Sequence, residues 1–327
     1  MSFPKNACRI LTRQASFFAL FILPSFVSAQ EPQAPAIRVE VSRVNVGVIA
    51  TDRHGKFVEG LQKSDFHIFD NGVEQPIAGF LANDDPAQVV LMLECGPSVF
   101  LVGAQNLQKA DAFIARLAPS DRVAIVCYSS SPTVQSDLGE GLSAARETLR
   151  DIDFHTGFGD LNLDKSLLTV LRWLESVPGK KTVLLVGSGL DSSPPIDPNQ
   201  FLQRISASEV RILAVSTSPQ LKRFPKKHKH DLDEREDREK TLKTLKEADD
   251  ALRALTASTG GRAFFPKTTR DYERAFAEIA QIVRHEYNLA FVPQSADGKL
   301  HSLTVTARHA HRIDHRQAYL APASSTN

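Results

Sequence analysis

Val89-Val90-Leu91-Met92-Leu93, running into Glu94-Cys95-Gly96-Pro97-Ser98, is the stretch on which the fold turns. Five consecutive apolar residues that end in a short loop containing Gly and Pro mark a strand buried on both faces, as in a parallel sheet covered by helices. The pattern repeats downstream. Leu107, Ala110, Ile114 and Leu117 recur at helical spacing, and Pro119 stops that helix. Residues 123–128 read as a second buried strand. Leu142, Ala145 and Leu149 mark one helix, and Leu163, Leu167, Leu171 and Leu174 another. Strands follow at 182–186, 210–215 and 262–265, and a short helix at 198–207. One further helix carries Leu242, Leu245, Leu252 and Leu255 and closes on Gly260-Gly261, and the last carries Tyr272, Phe276, Ile279 and Val283. Strands separated by amphipathic helices imply a mainly parallel, Rossmann-like sheet with helices on both faces, a three-layer α/β fold. Residues 219–240 interrupt the rhythm with Lys, Arg, His, Asp and Glu of mixed sign, and they read as a solvent-exposed insertion.

Upstream of residue 87 the period changes to two. Ile37, Val39 and Val41 alternate with polar residues, and Val44, Val46 and Val48 alternate in the opposite phase. That slip predicts a bulge or strand break near Ser42-Arg43. Asp52-Arg53-His54-Gly55 and Asp70-Asn71-Gly72 are turn signals on either side of an alternating Phe66 and Ile68. β structure returns at 287–292, 300–307 and 317–320, with a turn at Asp297-Gly298. Neither segment alone buries its apolar face, so the two are expected to pair into one small β module. The expected plan is a leader at 1–29, an N-terminal β segment at 30–86, an α/β domain at 87–284 and a C-terminal β segment and tail at 285–327.

The leader carries Lys5, Arg9 and Arg13 and no acid, then an apolar stretch over 17–27, then Val27-Ser28-Ala29. This is the layout of a secretory signal peptide cleaved after Ala29, and the chain is expected to be exported: periplasmic, outer-envelope associated or secreted. The stretch is short for a bilayer span and Pro24 interrupts it, and no later segment is apolar for long enough to cross a membrane. Without the leader, 36 basic residues face 38 acidic ones, a balance that argues against a nucleic-acid binder. Two cysteines remain, Cys95 and Cys127. A disulfide and two buried thiols are both compatible with the sequence.

The order of motifs resembles a known family. Residues 46–51, Gly60-Leu61 with Ser64-Asp65-Phe66, and Phe69-Asp70-Asn71-Gly72 resemble its leading β segment. Thr259-Gly260-Gly261-Arg262-Ala263-Phe264-Phe265 and residues 284–289 resemble its closing portion. The family is that of exported von Willebrand factor A-related proteins described chiefly from acidobacteria. The resemblance implies an A domain flanked by β segments, no catalytic activity, and a protein or matrix partner outside the cytoplasm.

It also implies a metal-ion-dependent adhesion site, in which an Asp-x-Ser-x-Ser loop, a Thr and a second Asp surround Mg²⁺. Mg²⁺ takes hard oxygen donors in near-octahedral geometry and keeps open positions for a partner's carboxylate. Carried over position by position, Glu94 stands for the first Asp, Gly96 for a Ser, Ser98 for the other Ser, Asp160 for the Thr (with Thr156 available to a shifted loop) and Ser188 for the second Asp. On one reading Glu94, Ser98, Asp160 and Ser188 form a rearranged site that weakly holds a divalent cation, Ca²⁺ or Mg²⁺. On the other the site is degenerate, no cofactor binds, and Glu94, Cys95, Gly96, Ser98, Asp160, Ser188 and Asp191 form a metal-independent partner-binding surface.

Gly187-Ser188-Gly189 invites two enzyme readings. A nucleophile elbow needs Gly where Val186 and Leu190 stand, and a dinucleotide fingerprint needs Gly where Ser192 stands, so both fail. His309, His311 and His315 could share one strand face, but no Cys or acid at ligand spacing supports a surface metal site there, and His228 and His230 sit in the charged insertion, which reads as a solvated loop or helix. The expectation is a non-enzymatic binding protein. A structural component of an envelope assembly is the alternative, and a hydrolase is a distant third.

Overall fold

The computed structural model describes residues 43–96, 99, 108–152, 160–194, 196–223 and 232–323. The leader, the alternation at Ile37–Val41, the slip before Arg43, and His228 and His230 lie outside them.

The central sheet has six strands: β5 (Ala87–Glu94), β6 (Arg122–Tyr128), β7 (Pro132–Ser136), β8 (Lys180–Gly187), β9 (Arg211–Ser216) and β10 (Ala263–Phe264). Their order is β10-β9-β8-β5-β6-β7, parallel throughout except at the β7 edge. The apolar run that announced the fold is the middle of β5, and its two faces feed two cores. Val89, Leu91 and Leu93 pack with helices α1 (Asp111–Ile114), α2 (Gly141–Asp151) and α7 (Thr269–Arg284). Val90 and Met92 point the other way, into α3 (Leu163–Glu175), α4 (Pro198–Ala207) and α6 (Leu232–Ser258). Successive residues on a strand face opposite sides, so an unbroken apolar run is what a doubly covered strand requires. The three-layer α/β architecture expected from the sequence is the one observed.

The flanking segments interleave. One sheet runs β13-β1-β11-β4, built from β1 (Val44–Thr51), β4 (Ile77–Leu81), β11 (Tyr287–Phe291) and β13 (Arg312–Asp314). The other runs β14-β12-β2-β3, built from β2 (Phe66–Asp70), β3 (Val73–Gln75), β12 (Leu300–Ala307) and β14 (Ala318–Leu320). Each sheet therefore takes strands from both ends of the chain. Val44, Val46 and Val48 meet Tyr287, Leu289, Phe291, Ile68 and Val305 in one shared core. The Asp70-Asn71-Gly72 signal is the β2–β3 hairpin, where Asn71 and Gly72 both have positive φ (48° and 82°), the geometry of a type I′ turn. Beneath it His301 is buried and its Nδ1 pairs with Asp70 Oδ1 at 2.8 Å, while the Tyr319 hydroxyl donates to Asp70 Oδ2 at 2.9 Å. Burial pulls the His301 imidazole down, but hydrogen bonds and charge from Asp70 and Asp297 outweigh it and hold its pKa above the ordinary 6.5.

One expectation is corrected. The charged stretch 219–240 is not one solvated excursion. Ser218–Leu221 forms a short helix, α5, with Leu221 buried against Leu245, and Lys222 pairs with Asp249 at 2.5 Å. Residues 232–240 are the first turns of α6, where Glu236 and Lys240 make an i,i+4 pair at 2.8 Å. Mixed charges at helical spacing support a helix as readily as they solvate a loop. Nor do His309, His311 and His315 share a strand face. His309 has φ 62° in a turn, His311 is exposed at a bend, and His315 is buried with its Nδ1 on the Arg316 carbonyl.

Candidate functional site

In an open parallel sheet the binding crevice forms at the carboxyl ends of two neighbouring strands whose connections leave in opposite directions. Here β5 connects onward to β6 on one side, while β8 lies on its other side, so the crevice falls between the ends of β5 and β8. Glu94 ends β5 and Ser188 follows β8.

The two are in contact. Glu94 Oε2 accepts from the Ser188 backbone N–H at 2.6 Å, from Ser188 Oγ at 2.7 Å and from the Tyr128 hydroxyl at 3.3 Å. Glu94 is 1% exposed, and Ser188 and Tyr128 are fully buried. Burial pushes the Glu94 carboxyl up, and the Ser188 and Tyr128 donors offset only part of that. The Tyr128 phenol is driven well above its usual range by burial and then by the Glu94 charge. Gly187 makes the approach possible, because a Cβ there would overlap the Tyr128 hydroxyl and lie 2.7 Å from Glu94 Oε2. Oε2 therefore ends in a closed hydrogen-bonded latch under the crevice.

The loop beyond is closed as well. Cys95 and Cys127 form a disulfide with 5.5 Å between their Cα atoms, and the Cys95 N–H donates to the Tyr128 carbonyl at 2.9 Å. At Gly96, where the adhesion motif would carry a hydroxyl, an added Cβ would overlap Leu161 Cδ2. Leu161 is itself 8% exposed and is held from both sides: its N–H donates to Ser192 Oγ, and Ser192 N–H donates to its carbonyl, each at 2.8 Å. The Leu161 methyl fills the space that a side chain at residue 96 would take. Introducing a hydroxyl there with Gly96→Ser is expected to destabilise the fold by about 1–3 kcal/mol through overpacking. Urea unfolding checks this, and the loss in Gly96→Ser/Leu161→Ala should be smaller than the sum of the single losses; a neutral Gly96→Ser would contradict the packing.

The remaining residues divide. Asp160 and Asp191 are exposed, and Ser98 and Thr156 lie outside the described residues. Asp191 Oδ2 accepts from Asp164 N–H at 2.9 Å, which caps the first turn of α3, and its Oδ1 accepts from Ser193 N–H at 2.8 Å. Burial and then the Asp191 charge push the Asp164 carboxyl up to about 6. Glu94, Cys95, Gly96 and Ser188 were expected on a contact surface, and all four are buried. They form the floor, and the exposed rim is left to Asp160, Asp191 and their neighbours. Sequence reasoning missed Tyr128 and Leu161. The signal for Tyr128 was available: ending two parallel strands together sets Glu94 opposite Tyr128, and that is the observed register.

A magnesium ion at this crevice would need several oxygens with free lone pairs in a near-octahedral arrangement. Glu94 Oε2 takes three donors, Gly96 offers no side-chain oxygen, and Leu161 fills that corner. Among the described residues no group of three or more His, Cys, Asp or Glu side chains is placed to hold a metal ion. The described donor set does not fit Mg²⁺. Among the described residues, too, no helix is long and apolar enough to cross a membrane.

No protein-family model matches the chain, and no curated protein matches it. Among solved structures it is similar to an aerotolerance-related membrane protein from Bacteroides fragilis, at 14% identity over 60% of this chain and 98% of that one, with a TM-score of 0.44. It is similar to a von Willebrand factor type A protein from Catenulispora acidiphila, at 13% identity over 80% of this chain and 74% of that one, with a TM-score of 0.44. A third similar structure is the PilB minor pilin from Streptococcus sanguinis, at 12% identity over 64% of this chain and 63% of that one, with a TM-score of 0.42.

Proposed function

We propose that this chain is an exported, non-catalytic protein whose A-type domain binds a protein or matrix partner without a metal ion. The resemblance to acidobacterial von Willebrand A-related proteins and the reading of the crevice as a degenerate adhesion site belong to this proposal. One observation carries it: Glu94 Oε2 is latched to Ser188 and Tyr128, and the Gly96 corner is filled by Leu161. A carboxylate whose Oε2 is committed to three donors below an apolar plug is badly placed to bridge a cation to a partner's acid. It is equally badly placed to abstract a proton from a substrate, since a general base must reach the reacting atom. What the crevice offers instead is exposed Asp160, Asp191 and Ser192 over a buried floor. The Cys95–Cys127 disulfide supports export, because such bonds persist in oxidising compartments.

The test is reversible crosslinking in the native host. The mature chain is expected to begin at Gln30, to be recovered outside the cytoplasm with a crosslinked partner, and to keep that partner in chelator. Asp160→Lys, at an exposed rim position, is expected to reduce the adduct. A chain that begins at Met1 in the cytoplasm, or an adduct lost on chelation, would contradict the proposal. An adduct indifferent to the rim would point to a structural component of an envelope assembly.

A further inference from the structure

A cavity of about 320 Å³ opens at the opposite end of the central sheet from the crevice, between the turn at 175–179 that leads into β8 and the β1-β11-β4 face of the β module. Asn288 of β11 stands on that face. Its neighbours Tyr287 and Leu289 point into the module's core, so Asn288 points the other way, onto the cavity wall. It sits between Gly47 of β1 and Leu81 of β4 and is 6% exposed.

The carboxamide of Asn288 has no hydrogen-bond partner among the described residues, and it lines the cavity rather than being sealed behind it. Buried polar side chains are almost always satisfied, so a nearly buried carboxamide left open on a cavity wall points to a partner that enters the cavity. The groups around it are of both kinds. Lys181, whose side chain is 9% exposed, donates to the Leu174 carbonyl at 3.3 Å and lies 3.7 Å from Glu209 Oε2. An ammonium has three donors, and two long contacts leave it capacity for an incoming acceptor. Glu209 is held by Asn45, whose N–H donates to Oε1 at 3.0 Å and whose Nδ2 donates to Oε2 at 2.5 Å. Glu175 is exposed at the mouth.

We propose that this cavity binds a neutral sugar unit, either a free monosaccharide or the end of a glycan chain. A carboxamide sets a donor and an acceptor side by side. Two neighbouring hydroxyls, each able to donate and to accept, match it whichever way it is turned. Further hydroxyls accept from Lys181 and donate to Glu175. Lys181 offsets Glu209, which leaves the Glu175 charge at the mouth to disfavour an anion. The wall is mostly polar, which disfavours a hydrocarbon body, and the volume lies at the small end of the roughly 300–1,000 Å³ of small-molecule sites.

The test is a titration of the full mature chain, followed by NMR, with D-glucose, D-galactose and N-acetyl-D-glucosamine and with the disaccharides cellobiose, lactose and diacetylchitobiose. At least one should bind with a dissociation constant of about 10 mM or below and shift the Asn288 side-chain amide resonance. Binding of a free sugar alone assigns a small-molecule ligand, and tighter binding of a disaccharide assigns a glycan end. Asn288→Leu strands no partner within the protein, and it should weaken that binding by about tenfold or more. Should that variant not fold, Ser176→Trp at the exposed mouth is expected to abolish the Asn288 shift. No binding of any of these sugars, an unmoved Asn288 resonance, undiminished binding to folded Asn288→Leu, or an Asn288 shift that survives Ser176→Trp would overturn the proposal. So would binding of acetate or of N-acetylalanine methylamide as tight as that of the sugars, which would point to an anion or a peptide amide instead.

Discussion

Glu286→Leu is expected to lower the unfolding free energy by about 3–5 kcal/mol, because it strands a buried cation. Arg211 opens β9 of the central sheet and Glu286 immediately precedes β11 of the β module, so their pair joins the two layers. The Nε–Oε1 distance is 2.7 Å, with the side chains 2% and 4% exposed. The backbone is shaped around them: a Cβ on Gly47 of β1 would overlap Glu286 Oε1 and lie 3.3 Å from Arg211 Nη2. Removing the carboxylate leaves the guanidinium desolvated, with the Gly260 carbonyl as its remaining acceptor. Replacing both partners by apolar residues of similar volume avoids that penalty, so Arg211→Met/Glu286→Leu should recover most of the loss. A double-mutant cycle in urea measures the coupling directly. A single-variant loss below about 1 kcal/mol, or a double variant as damaged as the sum, would contradict this account.

Gly261→Ala is expected to cost about 3 kcal/mol, at the upper end of overpacking losses, because the obstacle is backbone. Helix α6 ends in a Schellman motif: Gly260 has φ 72°, its N–H donates to the Ala257 carbonyl at 3.0 Å, and the Gly261 N–H donates to the Thr256 carbonyl at 2.8 Å. The chain then passes so close to β9 that a Cβ on Gly261 would overlap the Ile212 carbonyl. Neither partner can rotate away, since Ile212 is inside the central sheet. Gly298 provides the comparison. It also has positive φ, 68°, but the nearest atom to an added Cβ is a side-chain methyl at 3.4 Å. Gly298→Ala should therefore cost only the conformational penalty, about 1–2 kcal/mol. Urea midpoints for the two variants, measured side by side, check the ordering; a milder effect at Gly261 than at Gly298 would show that the link yields.

These glycines show what was legible in the sequence and what was not. Gly260-Gly261 read as a helix stop, and a helix stop is what the structure shows there. The reason for the second Gly, contact with β9, depends on a strand fifty residues earlier and could not be seen locally. The run Val89–Leu93 was legible because burial on both faces leaves a mark in every residue. Interleaving of the two β segments followed from a simple shortage, since neither could cover its own apolar face. The histidine alternation carried little information because a turn at His309 resets the face, and period alone does not report positive φ. Charge density in 219–240 left loop and helix open, and it gave no sign that Leu221 anchors the start of the segment on Leu245.

At the crevice the residue types were legible from the sequence, but their contacts were not. Glu94 in place of Asp could have meant a longer reach toward a cation. In the structure Oε2 meets Ser188 and Tyr128, within the space Gly187 leaves open. Leu161 carries no chemical signal at all, and its role appears only when it meets Gly96 in space.

The most direct test of the central claim, that the crevice is a latched and metal-independent floor, is thermal unfolding of the mature chain in chelator, Mg²⁺ and Ca²⁺, alongside Glu94→Gln and Asp160→Asn. A cation that binds only the folded state raises the midpoint in proportion to the logarithm of its concentration over its dissociation constant. The account predicts the same midpoint for the unaltered chain in chelator and in either cation. A rise in Mg²⁺ or Ca²⁺ that is abolished by Glu94→Gln or Asp160→Asn would contradict it and show a working cation site.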